Sequence, residues 1–333
     1  MQRRLVTLVG PGGIGKTTLA LELAEKLIDI YEHSVWLVDL APHSDPHSVP
    51  SAVAAALGIT LQSEEALPEL IAGIKDRRML LVLDNCEHVI TCVEALAFAL
   101  LRGAPHVQIL ATSREPLRAE GEKVYRVPPL ASPPASSRIN ATEALSFPAV
   151  QLFLERAAST LGKFELSNAD ASLVAEICRK LDGIPLAIEL AANRVYAFGV
   201  PGVAVQMNDC LRLLGFGYRT APPRHQSMHA TLEWSYRLLS DREQSILCRL
   251  SVIPASFTLG SAAKAADIAG HSESEVIKDV LKLIAKSLII ADVQGAEPRL
   301  RLPETTRAYA RSKLLRAARA SRSITAKRHN LLN

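Results

Sequence analysis

Gly10-Pro11-Gly12-Gly13-Ile14-Gly15-Lys16-Thr17-Thr18 fits G-x-x-x-x-G-K-[ST] at every position. It follows Leu5-Val6-Thr7-Leu8-Val9, an apolar run that reads as a buried strand. Behind it, Leu19, Ala20, Leu23, Ala24, Leu27 and Ile28 recur at helical spacing and fall on one helix face. Strand, glycine loop and helix in that order are the setting of a phosphate-binding loop. Glycines let the backbone wrap closely, so several N–H groups and the positive helix end converge on one anion. Gly10, Gly12, Gly13, Ile14, Gly15, Lys16, Thr17 and Thr18 are therefore the expected nucleotide contacts. Lys16 should reach the β- and γ-phosphates, and the Thr17 hydroxyl should ligate Mg²⁺. The chain is expected to bind a nucleoside triphosphate.

Outward from the loop, residues 1–130 alternate strand-like and helix-like segments. Strands are predicted at 4–9, 35–40, 79–83, 107–112 and 124–127. Continuous apolar strands separated by helical periods indicate an α/β parallel sheet covered on both faces. Such a sheet binds its ligand at the carboxyl ends of its strands. Met79-Leu80-Leu81-Val82-Leu83 ends in Asp84, a carboxylate suited to holding Mg²⁺ through its water shell. Val107-Gln108-Ile109-Leu110-Ala111-Thr112 runs into Ser113-Arg114-Glu115. A guanidinium at that strand end suits bidentate contact with a γ-phosphate, so Arg114 is the candidate sensor. Guanine reading needs an Asn/Thr-Lys-x-Asp element. Arg179-Lys180-Leu181-Asp182 has the wrong first residue, which argues against a GTPase.

A proline- and serine-rich break at 128–140 marks the linker, expected at 131–147 after the nucleotide-binding domain of 1–130. The segment 148–215 is expected to be a helical domain. Residues 224–320 are expected to form a winged helix. Two capping boxes, Ser240-x-x-Glu243 and Ser272-x-x-Glu275, precede apolar helices there. Ser287–Ile290 and Arg299–Leu302 then flank a hairpin, and a last helix starts near Thr305.

The net charge of +4 conceals an asymmetry. Eight of the 38 Lys/Arg and none of the 34 Asp/Glu lie beyond Glu304, so the body is acidic by four and only the tail is basic. No apolar stretch approaches the ~18 residues of a membrane span, and the first apolar run stops at the glycine loop. Five cysteines without a C-x-x-C suggest reduced thiols in a cytoplasm. The spacing of Cys86, His88 and Cys92 matches no zinc pattern.

The ordered set of glycine loop, Leu83-Asp84-Asn85-Cys86-Glu87-His88, Ala111-Thr112-Ser113-Arg114-Glu115, Gly183-Ile184-Pro185-Leu186-Ala187 and closing winged helix resembles the NB-ARC class of STAND signal-transduction ATPases. It is most similar to the bacterial branch in large transcriptional regulators, relatives of antibiotic regulatory proteins. The similarity runs from Arg3 to about Leu315. His229–Tyr236 and Glu304–Ala310 also resemble that branch. The resemblance implies that Pro185 lies against the nucleotide base or sugar. It implies too that helical and winged-helix units close over ADP, and that exchange for ATP opens the module for self-association. Sensor and effector domains would belong to a longer protein.

Three departures from the family pattern bear on these expectations. Relatives carry residues before the first strand that help enclose adenine, whereas Met1 stands directly before it here; weak base affinity, or a fragment of a longer protein, is expected. Asn85 follows Asp84 where many relatives have a second acid. An amide is no general base, so hydrolysis is expected to be slow or to use Glu87. The Met-His-Asp triplet of eukaryotic relatives aligns with Leu302-Pro303-Glu304, which lacks the His.

The leading expectation is an ATP/ADP switch with slow hydrolysis. The alternative is a DNA-binding transcription factor acting through the winged helix and basic tail. Mixed charge on the candidate recognition helix, about Glu273–Lys286, weighs against direct DNA binding by this chain.

Overall fold

Alternation of side chains along β-strands lets one apolar run serve two cores at once. Five strands form the sheet of the first unit: β1 (Leu5–Val9), β2 (Val35–Asp39), β3 (Met79–Asp84), β4 (Val107–Ser113) and β5 (Glu122–Arg126), the apolar runs of β1, β3 and β4 lying at its centre. Every pairing is parallel, in the order β2-β3-β4-β1-β5. The computed structural model describes residues 3–330 except 44, 63–65, 136–138, 216, 218–221, 254–255, 267–271, 294 and 296, and only the backbone of 46 and 320–330.

Helices α1 (Lys16–Leu27), α2 (Val49–Ala56), α3 (Ala66–Ile74) and α4 (Ile90–Gly103) cover the sheet. Leu81, Leu83 and Ile109 face Val93, Leu96 and Leu100 of α4. Leu80, Val82 and Leu110 face Ala20 and Ala24 of α1. β3 is accordingly buried at every position. The apolar face of α1 is narrower than its spacing suggested, because two alanines seat it close to the sheet while Leu23 stays 37% exposed. The strand order sets β3, β4 and β1 side by side. Their carboxyl-end turns, which carry Asp84, Arg114 and the glycine loop, therefore open together.

A second unit runs from Pro129. It begins with α5 (Ala141–Ala144), α6 (Pro148–Leu161), α7 (Asn168–Lys180), α8 (Pro185–Ala192), α9 (Val195–Gln206) and α10 (Cys210–Leu213). The stretch expected as linker carries α5, capped by Asn140, and backbone bonds hold the chain at its two ends. Leu130 N donates to Gly183 O at 2.9 Å, and Ala149 N donates to Ala131 O at 3.2 Å. Gly183 has φ +65, and a Cβ there would stand 2.2 Å from Leu130 O, so only glycine fits.

Next come α11 (Met228–Arg237), α12 (Asp241–Leu250), α13 (Leu259–Ala265), α14 (Glu273–Ala285), the hairpin β6 (Ile290–Asp292) and β7 (Arg299–Arg301), and α15 (Glu304–Asn330). The Ser240 box closes as expected: Ser240 N donates to Glu243 Oε2 at 2.8 Å and Glu243 N donates to Ser240 Oγ at 3.3 Å. The first wing strand starts at Ile290, the last residue of the 287–290 segment expected to begin the hairpin. Ser287 turns the chain at φ +59, and Leu288 and Ile289 enter the core rather than the hairpin.

The segments 229–236 and 304–310 brace each other. Glu233 on α11 accepts from Tyr309 Oη at 2.6 Å and pairs with Lys313 at 2.8 Å, both on α15, and the rings of His229 and Tyr236 meet the Tyr309 ring edge-on. Asp182, just past α7, ties the wing to the helices. It accepts from Arg301 Nη1 at 2.5 Å and from Glu304 N at 2.7 Å. No described helix is long and apolar enough to cross a membrane.

Candidate phosphate-binding site

The glycine loop leaves β1 beside β4, where Gly10 N donates to Ser113 O at 3.3 Å. Gly13 and Gly15 sit at φ +80 and +91, a region L side chains avoid, which is how the loop curls into α1. Ile14 is buried and anchors the loop. Lys16 opens α1, and its Nζ folds back to donate to Gly10 O at 2.8 Å and Pro11 O at 3.0 Å. The first turn of α1 has neither an acidic residue nor a side-chain cap. Its opening N–H groups and the positive helix end therefore face the loop without a capping carboxylate, as anion binding requires. Thr18 is exposed.

Thr17 Oγ1 donates to Asp84 at 2.9 Å to Oδ1 and 3.0 Å to Oδ2. Asp84 is 3% exposed and gathers further donors. Thr112 Oγ1 donates to Oδ1 at 2.5 Å, and Asn85 Nδ2 donates to Oδ2 at 2.6 Å. The Thr112 hydroxyl in turn accepts from Asn85 N at 3.0 Å. Asn85 Nδ2 also donates to Asp39 Oδ1 at 2.9 Å, bridging two carboxylates that parallel register sets opposite each other. Burial pushes the Asp84 carboxyl above its ordinary range. Hydrogen bonds from Thr112 and Thr17 oppose the rise, and the charges of Asp39 and Glu87 add to it. A hydroxyl facing a poorly solvated carboxylate is a hard-oxygen pair, and it fits a cation such as Mg²⁺ that takes few protein ligands and keeps waters and phosphates. Among the described residues no group of three or more His, Cys, Asp or Glu forms a metal cage. Cys86 is buried, its thiol donating to Leu83 O at 3.3 Å, and all five cysteines are free.

Arg114 directly follows β4 at 6% exposure and donates through Nε to Glu87 Oε1 at 2.9 Å. Burial by itself would raise the Glu87 carboxyl, but Arg114 and then Lys16 outweigh it and hold the group below its usual range. His88 Nε2 lies 3.0 Å from both Leu40 O and His43 O, fastening the turn after β3 to the one after β2.

The structure thus brings the glycine loop, Lys16, Thr17, Asp84 and Arg114 to one end of one sheet. Pro185 lies in the second unit as the first residue of α8, where its fixed φ suits a helix start. Sequence reasoning gave no role to Thr112 or Asp39. Their part depends on which strands are neighbours, and the only local signal was a polar residue at the end of an apolar run.

Residues 1–113 match the AAA domain family, and residues 239–315 match the winged helix-turn-helix domain family. The uncharacterized protein Rv0894 of Mycobacterium tuberculosis is 34% identical over 331 residues, covering 99% of this chain and 81% of that protein. The chain belongs to its family. A longer relative of that family in the same organism, "Putative HTH-type transcriptional regulator Rv0890c", is 39% identical over 314 residues. The match covers 94% of this chain but 34% of that protein, so the chain spans about a third of its length. Among solved structures, the Walker-type ATPase PABY2304 of Pyrococcus abyssi superposes with a TM-score of 0.53 at 14% identity, covering 93% of this chain and 91% of that one. The ORC2 protein of Aeropyrum pernix gives 0.51 at 15% identity, covering 95% and 88%. At such identities the likeness is one of fold: a P-loop NTPase sheet followed by helices and a winged helix.

Proposed function

We propose that this chain is an ATP/ADP-operated switch with slow hydrolysis, of the NB-ARC class, serving a transcriptional or signalling regulator. One observation carries the reading: an ammonium, a hydroxyl–carboxylate pair and a guanidinium converge behind a glycine loop at adjacent strand ends. Lys16 exchanges its carbonyl partners for β- and γ-phosphate oxygens, which form stronger, charge-assisted bonds. Mg²⁺ between Thr17 and Asp84 would supply positive charge against the same oxygens. Arg114 distinguishes ATP from ADP, and Pro185 meets the base or sugar.

Switching is population shift, because the nucleotides must bind two arrangements with different free energy. Self-association follows ATP binding, and the working organisation is 1–130, 148–215 and 224–320. Relatives named as transcriptional regulators support the setting. Calorimetry with ATP and with ADP, each with and without Mg²⁺, tests the reading. Micromolar or tighter binding with a magnesium-dependent preference is expected; no heat with either nucleotide refutes it.

The winged helix-turn-helix match favours a second reading, direct DNA binding, against the expectation from charge. On α14, however, Lys282 pairs with Asp279 at 2.9 Å, and Lys286, next in chain, pairs with Glu243 at 2.9 Å. Those pairs engage two of the three lysines there and leave the exposed Lys278 to neutralise phosphates. A gel shift with random duplex at low salt, repeated with each nucleotide, discriminates: a retarded band would establish the second reading.

A further inference from the structure

Asn85 stands directly after Asp84, and its amide cannot take a proton from water. Both of its Nδ2 bonds go to the carboxylates of Asp39 and Asp84. Its backbone is left-handed, φ 64 and ψ 50, and leads into a 3₁₀ turn, Cys86–His88, that carries Glu87. That bend returns Glu87 to the strand-end cluster, where it meets Arg114. The Glu87 side chain is 6% exposed. Oε1 takes the Arg114 bond; Oε2 is buried and has no hydrogen-bond partner among the described residues. A carboxylate that braces a guanidinium is frequently gripped through both oxygens. Here Oε2 keeps its acceptor capacity beside the Arg114 bond and within the field of Lys16.

We infer that Glu87 is the carboxylate that activates the attacking water in ATP hydrolysis, in the place Asn85 cannot fill. This rests on the nucleotide-switch reading above. Oε2 accepts a proton from water as the water oxygen bonds to the γ-phosphorus. The bond from that phosphorus to the β–γ bridging oxygen breaks, its electron pair staying on ADP, and the proton passes from Glu87 to the released phosphate. Arg114 positions Glu87 through Nε. A carboxylate gripped by a buried cation is a weak proton acceptor, which suits a slow clock better than a fast enzyme.

The test measures phosphate release and ATP affinity in the same preparations of wild type, Glu87→Gln and Glu87→Asp. Glu87→Gln should bind ATP with wild-type affinity, retain it uncleaved in native mass spectra, and release phosphate about 100-fold more slowly or worse. Glu87→Asp keeps the charge and so guards against a Gln variant that fails to fold; it should bind ATP normally and turn over at an intermediate rate. Turnover near wild type in either variant overturns the inference. Loss of ATP binding together with turnover in both overturns it as well, since it marks Glu87 as a structural brace. A wild type that binds ATP without hydrolysing it removes the base but spares the switch, whereas a wild type that binds no ATP refutes the switch and the base with it.

Discussion

The carboxyl end of the sheet and the winged helix are both rich in charge, yet they use it differently. At the sheet end, Lys16 donates to two backbone carbonyls and Thr17 faces Asp84. Phosphate and a cation can replace these contacts without leaving a buried charge unpaired. In the winged helix, cations are matched to carboxylates. Glu243, 3% exposed, holds Lys286, and Asp279, 1% exposed, holds Arg242 and Lys282. One region keeps its polar groups in exchangeable partnerships; the other uses them to hold itself together. The Arg114–Glu87 pair is the exception, a matched buried pair inside the first region.

Breaking that exception should have the largest effect. Arg114→Ala leaves the Glu87 carboxylate buried without its cation, which should cost about 3–5 kcal/mol of stability. Adding Glu87→Ala should restore most of it while ATP and ADP remain poorly discriminated. Urea melts and calorimetry on the single and double variants check both halves.

Lys16→Ala tests the exchangeable side. Its carbonyl partners Gly10 O and Pro11 O are neutral, so their loss strands no charge and the melting midpoint should hold. ATP affinity should fall about 100-fold, on the order of 3 kcal/mol. Unchanged affinity in calorimetry would remove the lysine from the site.

The mirror experiment is Lys286→Ala, which strands Glu243. It should cost about 2 kcal/mol of winged-helix stability, less than a fully buried pair because Lys286 is partly exposed, and leave ATP affinity as it was. An ATP defect in that variant would show that the contrast between the regions is wrong.

The smallest effect concerns Glu233 and pH. Burial would raise its carboxyl, but bonds from Lys313, Tyr309 and Arg237 prevail and hold it at about 2, against an ordinary 4.5. A depressed folded-state value means stability that is present above the ordinary value and lost as pH falls toward the folded one. The pair should therefore contribute about 1 kcal/mol at neutral pH, after discounting for exposure, and fade between about pH 4.5 and 2. Urea midpoints of wild type and Glu233→Gln should differ at neutral pH and converge on acidification; a constant gap would contradict the assignment.

Much of this was legible in residues alone, and for a physical reason. Strands buried on both faces must be apolar throughout, so β1, β3 and β4 read as continuous runs, and the loop is a local motif whose glycines answer to backbone angles. What escaped is long-range. Thr112 meets Asp84, and Asp39 meets Asn85, only because β3 lies between β2 and β4. Glu87 and Arg114 are 27 residues apart. The start of β6 was misplaced because Leu288 and Ile289 are as apolar in a core as in a strand. The charges of α14 read correctly as mixed, but their partner Glu243 on α12 could not be read from α14 itself.

The most direct test of the central claim is native mass spectrometry of the purified chain with ADP, then with ATP and Mg²⁺, beside Lys16→Ala. One nucleotide per wild-type chain, a shift to assemblies with ATP alone, and no adduct on the variant are the expected result. Equal occupancy on wild type and variant, or none on wild type, would contradict the account.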